Sequence, residues 1–308
     1  TRAQMMVEIL KDPERKPLPG ILHDNLNLLL HHREIPVHYF SRYLFKKGMT
    51  NIRDYVPNGL AMKIAPALND GKVKDVLDNK LYFSLFYGQF DLPLPKILMY
   101  NHRNRFIAGN NPLDIGSQED FRMLIEDIFI KNPGCSGLFI KKTYSSASGR
   151  NIHSILRSDL KSNEQLIRDV YSGVKDSAFI FQEKVKQHQD LEKLSPASLN
   201  TIRFDTFIDE DGKIEVISGF LKMSTNDAVV DNVISGGCGV GIEADSGRLK
   251  RFGYSKIKLI GVDVLTEHPL TGIRFEGYPV PYFHEAMGLA AKAASFMPDL
   301  RLVGWDVG

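Results

Sequence analysis

Features that announce a function on their own are scarce in this chain. Only two cysteines, Cys135 and Cys238, occur among 308 residues. Two thiols cannot build a disulfide framework, and a reducing cytoplasm is the simplest home for them. No segment approaches the roughly 18 apolar residues in a row that suggest a membrane span. No signal-peptide pattern follows Thr1. Charge of one sign is also lacking: 39 Lys+Arg stand against 37 Asp+Glu, a net charge of +2. A dedicated nucleic-acid binder would carry a strong basic excess, so nucleic acid is not an expected partner. Neither an internal repeat nor a low-complexity tract interrupts the sequence.

The familiar phosphate and nucleophile motifs are absent too. There is no G-x-x-x-x-G-K-[ST], and no G-x-G-x-x-G between a strand and a helix. Gly236-Gly237-Cys238-Gly239-Val240-Gly241 is glycine-rich, but its spacing is wrong for a dinucleotide fingerprint. No G-x-S-x-G or Cys/His signature points to a side-chain nucleophile. His23, His31, His32 and His38 do not match H-E-x-x-H, and no cysteine or acidic pattern completes a metal site. They read as ordinary surface or core histidines.

What remains is an ordinary globular composition, with 43% apolar and 25% charged residues. A chain of this length can bury a substantial core without staples. Residues 1–78 read as helical, with apolar helix spacing from Ile21 to Leu30 and from Val37 to Leu44, punctuated by Pro36, Pro57 and Pro66. A new unit begins at Asp78-Asn-Lys80, where Lys80 opens an amphipathic helix. A strand follows at Ile97–Tyr100. Ser117 is positioned as an N-cap, with Glu119 and Asp120 in the first turn of a helix running to about Ile130. Asn163 to Val174 reads as another helix and Phe179 to Val185 as a strand. From Leu199 the signal is β-rich, with a hairpin of Thr201–Ile208 and Ile214–Ile217 about the turn Glu210-Asp-Gly212. Glu243 to Arg248 reads as a turn between strands. Glu285 to Phe296 is a small-residue helix suited to close packing on a sheet. Leu300 to Asp306 is a last strand that delivers Asp306.

The most informative stretch is Gly137-Leu-Phe-Ile-Lys-Lys-Thr-Tyr-Ser-Ser-Ala-Ser-Gly-Arg-Asn-Ile152. An apolar strand leads to a lysine, then to a small Ser/Gly loop, then back to an apolar residue. That order gathers a cation and a row of backbone N–H groups, and such a spot suits phosphate. Taken alone, the segment is equally a hairpin with a solvated turn.

Taken in order, these pieces resemble the ATP-grasp superfamily, and within it the branch associated with sugar transfer and polysaccharide genes. Asp-Asn-Lys80 with the following Leu-Pro-Leu-Pro looks like the family's opening lysine element. Leu138-Phe-Ile-Lys141 looks like its second lysine strand, and Ser145 to Gly149 like its mobile phosphate lid. Phe181-Gln-Glu183-Lys-Val185 looks like the adenine hinge. Ser198 to Arg203, and Asp231-Asn232 before Gly236-Gly237, look like substrate and phosphate segments. Val303-Gly-Trp-Asp306 looks like the strand that presents a metal carboxylate.

The resemblance implies an α+β fold of two lobes gripping ATP, with a helical N-terminal segment. The implied units are residues 1–78, the nucleotide lobe 79–186 and the C-terminal lobe 187–308. ATP and Mg²⁺ are the implied cofactors. Lys80, Lys141, Ser145, Ser146, Ser148, Gly149, Asp231 and Asn232 would meet phosphates. Gln182, Glu183 and Val185 would form the hinge, and His188 or Asp190 would meet the ribose. Arg203 and Lys141 would carry catalysis, although Arg203 could instead pair with Asp205, Glu215 or another acid. Adjacent strand residues point to opposite faces, and the family pattern favours Lys141 over Lys142 for the nucleotide. Asp306 would hold the metal. Two departures stand out: Lys142 occupies the position where relatives carry proline, and the family's Glu-x-Asn after the Asp306 strand falls past Gly308. The expectation is therefore that a segment beyond Gly308 completes the metal site, or that the chain is not a competent catalyst. The implied activity is ATP-dependent joining of a small-molecule carboxylate, such as a sugar acid, to an amine, such as an amino acid. A kinase acting on a hydroxyl and an inactive nucleotide-binding protein remain the alternatives.

Overall fold

Among the described residues, two six-stranded sheets, each antiparallel at every pairing, organise the chain. A computed structural model describes residues 7, 9–144, 152–226, 237–255 and 263–308. The first sheet contains β1 (Ile97–His102), β2 (Arg105–Ala108), β3 (Asn111–Asp114), β4 (Gly137–Lys142), β5 (Ile152–Leu156) and β6 (Ala178–Glu183), in the order β3-β2-β1-β6-β4-β5. The second contains β7 (Thr201–Ile208), β8 (Ile214–Met223), β9 (Cys238–Ile242), β10 (Leu249–Ser255), β11 (Asp263–Leu265) and β12 (Leu302–Val307), in the order β11-β10-β9-β8-β7-β12. Ser145, Ser146, Ser148, Gly149, Asp231 and Asn232 lie outside the described residues.

The N-terminal part is helical: α1 (Leu18–His32), α2 (Val37–Ser41), α3 (Asn58–Leu68) and α4 (Gly71–Asp78). The helix expected over Val37 to Leu44 stops at Ser41. Tyr43 takes a left-handed φ of 57°, and the turn sends Leu44 and Phe45 into a small core with Ile9, Ile21, Leu28, Tyr39 and Ile52. Helix α5 (Lys80–Tyr87) begins where expected, because the Asn79 side chain accepts from the Leu81 and Tyr82 amides.

Helix α6 (Gln118–Lys131) shows why local sequence suffices there. Ser117 and Asp120 form a reciprocal capping box. Phe121, Leu124, Ile125, Ile128 and Phe129 recur at helical spacing and are all buried. With α8 (Glu164–Val174), which follows the short α7 (Asp159–Ser162), they cover one face of the first sheet around Phe106, Leu138, Ile140 and Phe181. That leaves the other face of β4, with Phe139 and Lys141, turned away from this core.

After the crossing helix α9 (Gln189–Leu194), the second sheet packs on α10 (Phe283–Ser295). Ala290, Ala293 and Ala294 are buried, so the helix lies close to the strands. Strand β12 begins at Leu302 rather than Leu300. Leu300 instead bridges Asn69, and the Asn69 side chain bonds both the N–H and the carbonyl of Leu302. These bonds tie the helical region to the second sheet. Helix α5 sits at the join. The Tyr87 hydroxyl donates to the buried Ala293 carbonyl at 3.1 Å, while the Lys80 amide donates to the Thr143 carbonyl at 2.8 Å.

Candidate active site

Between the two sheets runs a cleft of about 650 Å³. Lys80, Lys141, Glu183, Val185, Lys222 and Asp306 all line it. Its walls are apolar, from Phe83 and Tyr87 of α5, Leu92 and Leu94, Phe139, Leu199 and Ala290. An apolar slot with a few convergent charged groups is the usual build of a small-molecule site.

Each lining charge is placed by its own element. Lys80 is the first residue of α5, and burial pushes its ammonium pKa down, with Asp78 opposing. Lys141 shares a strand face with Phe139, and its Nζ lies 4.9 Å from that ring's centroid. Lys142 points to the other face and is not among the lining residues. The Glu183 amide donates to the Lys96 carbonyl at 3.0 Å, and the Glu183 carboxylate accepts from the Lys96 amide at 3.1 Å. The strand therefore leaves the first sheet at a fixed angle beside Val185.

Gln182, His188 and Asp190 do not line the cleft. Gln182 alternates with Glu183 along β6 and is buried, its amide donating to the Pro95 carbonyl at 3.4 Å. His188 instead caps α9, its ring Nδ1 accepting from the Asp190 amide at 3.3 Å. Asp190 is drawn into the same helix, within 3.3 Å of Lys193.

On the second sheet the strand register builds a charged row. Asp306 stands opposite Arg203, and Gly304 opposite Asp205. Thr201 stands opposite Lys222, and Asp205 opposite Ser218. Residues two apart share a face, so these side chains converge. Arg203 Nη1 and Lys222 Nζ both reach Asp306 Oδ1, at 3.2 and 3.0 Å. Arg203 Nε donates to Asp205 Oδ1 at 3.2 Å, and the Ser218 hydroxyl donates to Asp205 Oδ2. The alternative reading of Arg203, a pair with Asp205, is thus present, together with a second pair to Asp306. Arg203 does not itself line the cleft; it stands immediately behind Asp306. The guanidinium crosses the Gly304 backbone so closely that a Cβ there would overlap Nη2, Cζ and Nε.

A model of sugar-transfer associated ATP-grasp matches residues 60–308. The chain belongs to that family. Its helical and β-sheet elements form the ATP-grasp fold with an added set of N-terminal helices. No curated protein matches. Among solved structures it is similar to D-alanyl-alanine synthetase A from Vibrio cholerae O1 biovar eltor, at 12% identity and a TM-score of 0.41, over 77% of this chain and 53% of that one. The chain thus spans about half the length of that synthetase. D-cycloserine synthetase DcsG is matched at 11% identity and a TM-score of 0.36, over 86% and 82% of the two chains. N5-carboxyaminoimidazole ribonucleotide synthetase is matched at 10% and 0.29, over 63% and 46%.

ATP-grasp proteins use ATP and typically Mg²⁺. The cleft of this ATP-grasp chain fits the nucleotide in chemistry, since three lysines and an apolar slot share one cavity. Among the described residues no group of three or more His, Cys, Asp or Glu could hold a metal by itself. Asp306 supplies one carboxylate; it lines the cleft and is 47% exposed. That fits Mg²⁺, which is commonly held by one or two carboxylates together with substrate phosphates and water. No helix among the described residues is long and apolar enough to cross a membrane.

Lys222 was not anticipated from sequence. It looks like an unremarkable lysine at the end of an apolar strand, between Leu221 and Met223. Only its place opposite Thr201 and beside Asp306 makes it part of the site.

Proposed function

We propose that this protein is an ATP-dependent ligase that activates a carboxylate as an acyl-phosphate for attack by an amine. One observation carries the reading: residues as far apart in sequence as Lys80, Lys141, Glu183 and Asp306 line a single cleft between two sheets. In this reading residues 79–186 and 187–308 are the two lobes and 1–78 a helical addition. Lys80, Lys141 and Lys222 neutralise phosphate oxygens, and the backbone at Glu183 and Val185 meets adenine. Asp306 would hold Mg²⁺, which when bound would supply charge neutralisation to the nucleotide's phosphates.

The chemistry needs no side-chain nucleophile. A carboxylate oxygen of the first substrate attacks the γ-phosphorus, and the bond to the β–γ bridging oxygen breaks, releasing ADP. The amine lone pair then attacks the acyl-phosphate carbonyl, phosphate leaves, and the amine loses a proton. In this reading Arg203, whose planar fork stands beside Asp306, would meet the transferred phosphoryl group or the attacking carboxylate. Catalysis is then positioning and charge neutralisation. A sugar acid as carboxylate and an amino acid as amine, in cell-surface polysaccharide biosynthesis, extend the proposal along the family's description.

The test is mass spectrometry after incubating the full-length protein with ATP, Mg²⁺ and a panel of carboxylates and amines. Release of ADP and phosphate that requires both substrates, with an amide product, is expected. ADP with a phosphorylated hydroxyl would replace the ligase by a kinase. Calorimetric ATP binding with no ADP under any acceptor would leave a nucleotide-binding protein without catalysis.

A further inference from the structure

A second cavity, of about 400 Å³, lies in the N-terminal helical region and shares no residue with the nucleotide cleft. It is lined by His23, Leu26, Asn27, Leu30 and His31 of α1 and by Arg53 of the short 3-10 turn Ile52–Asp54. Its lining therefore joins two exposed leucines and an asparagine to a guanidinium and two imidazoles.

The groove sits in a larger apolar face. Ile21 and Leu28 of α1 enter the small N-terminal core, yet Leu18, Leu22, Leu26, Leu29 and Leu30 remain exposed. Leu22 is 63% and Leu30 79% exposed. At about 100° per residue these five leucines fall within an arc of about 120°. His23 lies at its edge, and Arg33 follows the helix as its left-handed C-cap. The single acid of α1, Asp24, is turned away, with its carboxylate 2.6 Å from Lys16 Nζ and 2.8 Å from the Tyr39 hydroxyl. Glu34, just past the helix, accepts from the Gly59 amide. Arg53 is oriented by donation from its Nε to Asn27 Oδ1 at 2.7 Å. Among the described residues it makes no ion pair.

We propose that this face docks on an anionic lipid bilayer, with a lipid headgroup phosphate seated among His23, His31 and Arg53. The exposed leucines enter the headgroup–acyl boundary. Charge complementarity favours that occupant: the exposed face of α1 carries no acid, and the guanidinium fork matches a phosphate. An apolar helix arc with a guanidinium beside it is also compatible with a helix that lies in a membrane interface. A second copy of the chain fits less well. A 15-residue helix offers a strip about 22 Å long and about 10 Å wide. That is well short of the roughly 800 Å² each partner contributes to a stable interface. Two copies would also bring like-charged rims together.

The experiment is flotation of the full chain with vesicles of phosphatidylcholine alone, or of phosphatidylcholine containing phosphatidylglycerol, with nucleotide binding measured on every variant as a check of folding. Wild type should float with the anionic vesicles and much less with the neutral ones. Leu22→Glu with Leu26→Glu should lower that binding at least about tenfold while leaving nucleotide affinity unchanged. If the double variant does not fold, Arg53→Gln, which alters no apolar contact, should still lower it about fivefold. Excess inorganic phosphate should not displace the protein, because a free anion offers the leucines nothing. Absence of wild-type flotation would overturn the proposal, and so would equal binding to both vesicle types or binding indifferent to Leu22, Leu26 and Arg53. Displacement by phosphate alone would reduce the groove to an anion site. A concentration-dependent dimer lost on Leu22→Glu would assign the face to a second copy, and capture of an acidic protein in place of vesicles would assign it to that partner.

Discussion

Gly304→Ala tests the least obvious part of the site. A Cβ at this position would overlap the Arg203 guanidinium, so the guanidinium must move. It can: the Arg203 side chain is 35% exposed, and its partners Asp205 and Asp306 are 34% and 47% exposed. Leaving costs two half-exposed ion pairs, each about 0.5–1 kcal/mol. Stability should therefore fall by about 1–2 kcal/mol and the fold should persist. The effect on turnover should be larger. A group displaced by about 1 Å from a reacting centre can cost about 100-fold in rate, which is about 2.7 kcal/mol of barrier. Because Arg203 stands beside Asp306 and does not line the cleft, ATP affinity should change less than tenfold, or about 1.4 kcal/mol. The assay is ADP release under conditions where wild type turns over, with calorimetric ATP titration and urea unfolding alongside. Gly304→Ala, Arg203→Ala and the double variant complete a cycle. If the glycine acts only through Arg203, the double variant should be no slower than Arg203→Ala. Wild-type turnover in Gly304→Ala, or additive losses in the double variant, would refute the reasoning.

Lys141→Ala should weaken ATP binding by about 1.5–3 kcal/mol, the scale of a hydrogen bond to a charged group, and an unchanged calorimetric affinity would remove Lys141 from the phosphates. Lys80 has its pKa lowered by burial, so the folded state binds its proton less readily than the unfolded chain. Nucleotide-free stability should accordingly rise as pH climbs through the lowered value towards the ordinary one near 10.5, and Lys80→Met should flatten that rise in urea titrations across the alkaline range. Cys238 is buried and its thiol pKa is pushed up to about 12, so an aromatic disulfide reagent at mildly alkaline pH should leave it unmodified in native protein and label it in denaturant.

The readings that needed only neighbours in sequence hold in the structure. The Ser117 N-cap and acidic first turn define α6 to within a turn at each end, and the structure adds a capping box with Asp120. Strand alternation separates Lys141 from Lys142 and the family pattern favours Lys141; the structure lines the cleft with Lys141 because Leu138 and Ile140 reach the core. The hairpin of β2 and β3 is carried by local sequence too: Gly109-Asn110 is a two-residue turn, and Gly109 takes a φ of 60°. The helix that ends at Ser41 shows the opposite case, since the pull of Leu44 and Phe45 into a core built with Ile21 and Leu28 overrode local periodicity.

The sequence by itself determined the balance of charge, the order of elements, the pairing of lysines with an apolar slot and the family they compose. It could not determine which charges meet. Asp306 lies opposite Arg203 because β12 returns to the edge of the second sheet beside β7, a pairing across 103 positions of chain. Lys222 enters the site through the β7–β8 register, and the binding cleft exists only where Lys80, capped by Asn79, is held against the end of β4. Shifting either register by one residue would turn Arg203 and Lys222 to the other face of the sheet. Local chemistry therefore named the parts, whereas long-range strand pairing, fixed by the buried faces of both sheets, decided which of them share a site.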